Sequence, residues 1–417
     1  MNSFNYKIVT FLMGILLIIN GCLMLLSSLV SYLYKDGVTF EITLASFIVL
    51  SLGTILMFFG QKHNKNIQKR EGYIIVSLGW IIMTVTGMLP FILTNSMIDI
   101  SSTFFETMSG YTATGATILS EIESLPSGIL FWRSMTHWIG GMGIIVLAVA
   151  VLPLLGIGGI QLFSAEAPGP NNDKLHPRIT DTAKRLWFIY VSFTILEAIL
   201  LSFAGMSIFD AVNHAMSTMA SGGFSTKNNS LAFWNHLPLV QYIIILFMFL
   251  AGSNFVLSYF ALTGKINKVI KDDEFKTFLS LIIIFSLTVF IIIYTSVDLN
   301  NSYFENSQIF GKLEGSLRHS FFQVLAIITT TGFVTADYTA WTPFLTILFF
   351  GFMFLGGSAG STSGGIKVVR HLLMIKGGIL EFKRSLHPNA IIQPRYNGKV
   401  VNQEIIGNIL AFFILYM

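Results

Sequence analysis

Three short runs rich in Thr, Ser and Gly carry the chemistry of this chain: Tyr111-Thr112-Ala113-Thr114-Gly115-Ala116-Thr117, Ala220-Ser221-Gly222-Gly223-Phe224-Ser225-Thr226 and Thr329-Thr330-Thr331-Gly332-Phe333-Val334-Thr335. Aligned on Gly115, Gly223 and Gly332 they recur at intervals of 108 and 109 residues, uncharged, between membrane-length apolar segments. Such runs can present backbone carbonyl oxygens to a desolvated cation in place of its water shell, because small residues let several loops approach one axis. The glycine supplies dihedrals that a side chain would block. On this reading the carbonyls of Ala113, Thr114, Ser221, Gly222, Thr330 and Thr331 face the ion, while Gly115, Gly223 and Gly332 give the backbone its freedom. Ordinary small-residue contact between helices is the competing reading.

A second glycine-rich stretch, Gly356-Gly357-Ser358-Ala359-Gly360-Ser361-Thr362-Ser363-Gly364-Gly365-Ile366-Lys367, interrupts an apolar run. Glycines cost about 1 kcal/mol each relative to Ala in a helix, so the helix is expected to break there. A mobile loop below the third Thr/Gly run would serve as a gate, its hydroxyls tolerating water and ions. The gate residues are Gly356, Gly357, Ser358, Gly360, Ser361, Thr362, Gly364, Gly365 and Lys367. Tight packing of small residues is the bland alternative. A phosphate-binding loop is disfavoured, since no strand pattern precedes the stretch and Val368 stands where the G-x-x-x-x-G-K-[ST] pattern needs Ser or Thr.

These runs must be positioned by helices in a bilayer. The 417-residue chain is 53% hydrophobic and 11% charged, with a mean hydropathy of +0.71, whereas soluble domains carry roughly 25% charge. An all-α polytopic membrane protein is expected. Cys22, the single cysteine, lies in an apolar run, which excludes a disulfide framework or a Cys-rich metal site. The first apolar run, residues 8–30, is too long for a signal-peptide core and reads as a span.

The order of elements follows from the repeat. Residues 1–71 hold two spans, near 8–33 and 40–60. Three units of span, half-span, Thr/Gly loop and span follow. Residues 72–182 contain spans near 73–93 and 128–156 and a cytoplasmic loop at 158–182; residues 183–276 contain spans near 186–203 and 239–262; residues 277–402 contain 278–294 and a broken span at 344–375. Residues 403–417 are expected to begin an incomplete fourth unit, because the period places a fourth glycine beyond Met417. Thr103-Phe104-Phe105-Glu106 and Ser207-Ile208-Phe209-Asp210 fit the Ser/Thr-x-x-acid capping box and would start half-spans of roughly 15 Å, half a bilayer. A helix that stops there turns the partial negative charge of its C-terminus toward a cavity, which suits a cation. The third half-span, 315–328, has no such box and carries Arg318 and His319.

Most of the 25 Lys and Arg fall in four groups: Lys62, Lys65, Lys69, Arg70; Lys174, Arg178, Lys184, Arg185; Lys265, Lys268, Lys271, Lys276; and Lys367, Arg370, Lys376, Lys383, Arg384, Arg395, Lys399. The positive-inside rule makes these cytoplasmic. Asp99, Glu106, Glu121 and Glu123 around Gly115, with Asp298, Glu305 and Glu314 ahead of Gly332, then put the Thr/Gly loops outside. Juxtamembrane clusters are not the contiguous groove that nucleic acid requires. Glu121 and Glu123 either concentrate cations at the entrance or are solvated loop residues. Arg133 and Lys227 read as snorkelling surface residues rather than ion-ordering ones. His137 reads as interfacial beside Trp138 rather than as a metal ligand. Capping accounts for Asp210; Glu197, inside a span, is read as paired with a polar group on a neighbouring helix ahead of a part in ion passage.

The Thr/Gly runs, with Gly140-Gly141-Met142-Gly143-Ile144-Ile145-Val146, Ala165-Glu166-Ala167-Pro168-Gly169-Pro170 and Gly360-Ser361-Thr362-Ser363-Gly364-Gly365-Ile366-Lys367, resemble the Trk/Ktr/HKT superfamily of potassium transporters, most closely its bacterial TrkH/TrkG-type membrane subunits. The resemblance covers essentially the whole chain. It implies M1–pore loop–M2 units around a pseudo-fourfold pore preceded by two extra helices, potassium as the transported ion and no organic cofactor. It also implies an intramembrane gate loop, a homodimer in the lipid of the bacterial inner membrane, and a cytosolic nucleotide-binding, TrkA-like regulatory subunit. In that family the fourth unit's second helix carries a pore-facing arginine, which the sequence up to Met417 does not include.

Potassium uptake through a carbonyl filter, without catalysis of bonds, is the leading functional reading. A secondary transporter coupling K+ to Na+ or H+ is the alternative, and strict flux coupling would distinguish it. A membrane enzyme needs clustered His, Asp or metal ligands, and the eight His are scattered.

Overall fold

The computed structural model describes residues 4–61, 69–141, 143, 179–297, 309–387, 393–401 and 403–416. Several expectations lie outside the described residues: the cytoplasmic loop at 158–182 with Ala165–Pro170, the span beyond Met142, the cations Lys62, Lys65, Lys174 and Arg178, and the acids Asp298 and Glu305.

Long uncharged apolar runs set the long helices. Among the described residues, five are long and apolar enough to cross a membrane: α1 (Tyr6–Tyr34), α2 (Thr39–Phe59), and those at Arg70–Leu93, Lys184–Phe203 and Asp273–Ser296. Along α2 the buried residues are Ile42, Ala45, Ser46, Val49 and Gly53, one stripe at helical spacing, while Phe47, Ile55, Phe58 and Phe59 are exposed. A helix that exposes an apolar face that wide has hydrocarbon as its solvent. α1 and α2 touch backbone to backbone at Gly14 and Gly53, where a Cβ on either glycine would come within 3.0 Å of main-chain atoms on the other helix. Small residues permit this approach.

The chain forms two compact units, Met1–Phe233 and Trp234–Met417. The first continues with α3 (Lys69–Gly87), α4 (Leu89–Leu93), α5 (Ile100–Tyr111), α6 (Ser127–Gly141), α7 (Ile179–Phe203) and α8 (Ile208–Met219). The second comprises α9 (Pro238–Gly252), α10 (Phe255–Leu262), α11 (Ile266–Lys271), α12 (Asp273–Ser296), α13 (Lys312–Ile328), α14 (Pro343–Phe352), α15 (Val368–Leu386), an antiparallel hairpin of β1 (Arg395–Tyr396) and β2 (Lys399–Val400), and α16 (Gln403–Tyr416). The half-spans are helices α5 and α8, of 12 residues each, and α13, of 17.

Two expectations about helix ends fail. α5 starts ahead of the Thr103 capping box, with Asp99 as its cap, accepting the Ser102 amide at 2.7 Å. Hydrogen bonding from Ser102 holds the Asp99 carboxyl below its ordinary value. Thr103 is buried in the first turns, and Glu106 has other partners. The second box behaves as expected: Ser207 Oγ accepts the Asp210 amide at 3.0 Å and donates to its carboxylate at 2.7 Å. The span expected at 239–262 is two helices, α9 and α10, bent by 110°. Ser253 is extended, and Asn254 restarts the helix by accepting the Val256 amide at 2.8 Å.

Candidate ion pathway

Each Thr/Gly run begins where a half-span helix ends, and all end the same way. Thr112, Ala220 and Thr329 close their helices in near-helical conformation, with φ of −79°, −76° and −80°. The next residue is left-handed in every copy: Ala113 at φ 50°, Ser221 at 55° and Thr330 at 56°. After one residue of negative φ, the aligned glycines are left-handed too: Gly115 at 73°, Gly223 at 82° and Gly332 at 78°. In a strand successive carbonyls point to opposite sides; a chain whose φ alternates in sign turns them toward one side, as a cation-binding row requires. Left-handed residues other than glycine are uncommon, and a β-branched one such as Thr330 is strained.

The helix ends hold this geometry through their free carbonyls. Ala113 N donates to Gly110 O and Thr114 N to Ser109 O, both at 2.9 Å; Ser221 N reaches Thr218 O at 2.9 Å and Gly222 N reaches Ser217 O at 3.0 Å. These are paired Schellman bonds. In the third loop Thr330 N bonds Ile327 O and Gly332 N bonds Ala326 O, both at 3.0 Å. The expected ion-facing residues therefore share one backbone form, and Thr331 is buried beside Thr329, hydroxyl to hydroxyl at 2.8 Å.

The outgoing limb of each loop is tied to its own half-span. Glu106 accepts from Thr117 Oγ1 at 2.9 Å and Ile118 N at 3.1 Å. Asp210 accepts from Thr226 Oγ1 at 2.6 Å, and His214 Nε2 meets Ser225 Oγ at 2.9 Å. His319 Nδ1 meets Thr335 Oγ1 at 2.7 Å, and Asn235 donates to Thr335 O at 3.1 Å. Within the first unit the first two loops are in backbone contact, since a Cβ on Gly115 would collide with the Gly222 carbonyl oxygen.

Two side-chain expectations, those for Arg133 and His137, are corrected. Arg133 does not snorkel: its side chain is 2% exposed and lies 2.7 Å from Glu106. His137 is fully buried, not interfacial, and stacks on Phe224 at 3.8 Å. Glu197 is fully buried in its span, with the Thr218 side chain of α8 as its polar neighbour. Glu123 remains an exposed loop residue, its side chain 45% exposed and facing Lys227 at 3.4 Å. Glu121 lies in the same exposed turn.

The glycine-rich stretch breaks the helix as expected, between α14 and α15. Its neck is closed by Gly356 N to Ile366 O at 3.0 Å and Val368 N to Gly357 O at 3.1 Å. Gly360 and Gly365 are left-handed, at φ 75° and 68°. The bend between α9 and α10 has its reason here. Ala251 and Gly252 end α9 with free carbonyls, which accept Thr362 N at 3.3 Å and Ser358 N at 2.8 Å. Thr362 Oγ1 adds a bond to Ala251 O at 3.2 Å, and Ser361 Oγ turns back to Ser358 O at 2.6 Å. Lys367 Nζ donates to Ser363 O. The loop meets the third Thr/Gly run directly, Gly364 N donating to Thr330 Oγ1 at 2.7 Å.

One anchor was not visible in the sequence. Glu274, buried in the first turn of α12, accepts Ala359 N at 2.6 Å and Val369 N at 3.3 Å, so it holds both limbs of the glycine-rich loop. Tyr396 of the hairpin donates to its other oxygen at 3.4 Å. Burial, reinforced by the negative charge of Glu274, pushes the Tyr396 phenol above its ordinary value, so it stays a donor.

A sequence model of the TrkH family, described as cation transport protein, matches residues 38–417. The Trk system potassium uptake protein TrkH of Salmonella typhimurium is 41% identical over 415 residues, covering 99% of this chain and 83% of that one. The Trk system potassium uptake protein TrkG of Escherichia coli is 35% identical over 419 residues, covering 100% and 84%. The crystal structure of the potassium transporter TrkH from Vibrio parahaemolyticus superposes with a TM-score of 0.85 at 34% identity, covering 99% of this chain and 83% of that one. The chain belongs to the TrkH family of cation transport proteins, a family of membrane transporters and not of enzymes.

Proposed function

We propose that the protein carries potassium ions inward across the bacterial inner membrane, with the three Thr/Gly loops as parts of a backbone-carbonyl selectivity filter. The observation that carries this reading is the shared left-handed, negative, left-handed backbone ending on Gly115, Gly223 and Gly332. The names of the relatives supply the ion. The carbonyls of Ala113, Thr114, Ser221, Gly222, Thr330 and Thr331 replace the water shell, and the half-span C-termini favour a cation over an anion. The loops face outside, an orientation that rests on the cationic segments assigned to the cytoplasm.

The Gly356–Gly365 loop is the gate. Its support is the bond from Gly364 to Thr330, which makes motion of this loop a motion at the filter. A cytosolic nucleotide-binding subunit of the TrkA kind and assembly as a homodimer complete the proposal; both rest on the family resemblance. The test is rescue of growth at low potassium in cells without their own uptake systems, using the protein expressed from its complete gene. Failure to rescue with protein present in the membrane contradicts the proposal.

Glu197 favours a second reading. A carboxyl fully buried inside a span is a place to carry a proton with the ion. Strict coupling of potassium flux to a proton gradient in proteoliposomes would select it; uncoupled flux selects the channel-like route.

A further inference from the structure

Arg133 contacts both of the first two loops. Its Nε lies 2.7 Å from Glu106 Oε1, and Glu106 in turn holds Thr117 and Ile118 of the first loop. Its Nη1 donates to Ser225 O of the second loop at 3.0 Å. Its guanidinium carbon sits 3.5 Å from the centroid of Phe224, the residue after Gly223. The His137 ring, one helical turn further along α6, stacks on Phe224 at 3.8 Å and 13°. Two planar groups that close to one centroid lie on opposite faces, so Phe224 is held between them. His137 also fills the space beside Gly222, where a Cβ would meet three atoms of its ring at under 3.0 Å.

All these groups are buried: Arg133 and Phe224 are 2% exposed, Glu106 1% and His137 0%. A guanidinium buried in a membrane protein is costly unless paired and hydrogen-bonded. Here one planar fork serves an acid attached to one loop, a carbonyl of the next and an aromatic face. Lysine, a single point charge on a flexible stem, cannot make those contacts together. The neutral pair also keeps a net positive charge away from the cation route.

We propose that Arg133 is a positioning residue for ion selection: with Glu106, Phe224 and His137 it fixes the distance between the first two filter loops, and that distance sets the discrimination of potassium from sodium. The proposal rests on the filter reading above. Cavity size and the field of the carbonyls both depend on how far apart the loops are held.

The experiment compares Arg133→Lys, Phe224→Leu and Gly223→Ala with the unaltered protein, expressed from the complete gene in cells lacking their own potassium uptake. Rubidium uptake is measured against rising sodium, and the protein in the membrane is quantified. Arg133→Lys keeps the charge facing Glu106 but loses the fork, and we expect it to lower discrimination about tenfold, equivalent to about 1.4 kcal/mol, without loss of protein. A role in folding alone would lower the amount and leave the ratio unchanged, and that result overturns the proposal. If Arg133→Lys does not reach the membrane, Phe224→Leu decides: it leaves the ion pair intact, and an unaltered ratio there overturns the proposal equally. Gly223→Ala separates the two levels. If it shifts discrimination and the other two do not, the brace is wrong and the filter stands; if all three leave discrimination unaltered, the filter reading itself fails.

Discussion

The Gly364 amide donates to the Thr330 hydroxyl at 2.7 Å, joining the glycine-rich loop to the third Thr/Gly run through one hydrogen bond. Thr330 is also the left-handed residue of its loop, at φ 56°. One residue thus has a strained backbone in the third Thr/Gly run and a side chain engaged by the glycine-rich loop.

Thr330→Val removes the hydroxyl at nearly constant shape and leaves Gly364 N without that acceptor. Loss of one such bond is worth about 1 kcal/mol. The expected outcome is a raised basal rubidium flux in proteoliposomes without any regulatory subunit, while Thr330→Ser stays at the unaltered level.

Glu274 offers a stronger perturbation. Its replacement by Ala leaves the Ala359 and Val369 amides without their acceptor at a buried position, at about 1–3 kcal/mol for each. Protease protection of the loop should fall in Glu274→Ala, fall less in Glu274→Gln, which keeps one acceptor, and change little in Tyr396→Phe, whose bond is 3.4 Å long.

Much of the architecture is legible in the sequence because membrane spans are long and their composition is extreme. The Gly356–Gly365 break follows from glycine density, and Gly252-Ser253-Asn254 contains a readable stop and restart that a search for one long span passes over. The left-handed positions Ala113, Ser221 and Thr330 are not legible, since none is a residue that prefers that conformation; a shared helix end imposes it. Arg133 and Glu106 are 27 residues apart and resemble surface charges until the fold brings them together. Glu274 and the loop it holds are separated by 85 residues at Ala359.

Gly115 should tolerate no side chain. A Cβ there would strike the Gly222 carbonyl oxygen, and the φ of 73° adds strain. Backbone strain of this kind costs about 1–3 kcal/mol, so Gly115→Ala is expected to lower the thermal stability of the purified protein as well as abolish uptake.

Gly332 is the clean probe of the proposed filter, because among the described residues a Cβ built there has nothing within 4 Å while its φ is 78°. Gly332→Ala therefore disturbs the backbone angle without a clash. The decisive measurement is potassium-over-sodium discrimination by this variant in proteoliposomes. A carbonyl filter predicts that discrimination is lost or sharply reduced with protein still folded in the membrane; discrimination equal to that of the unaltered protein would contradict the account.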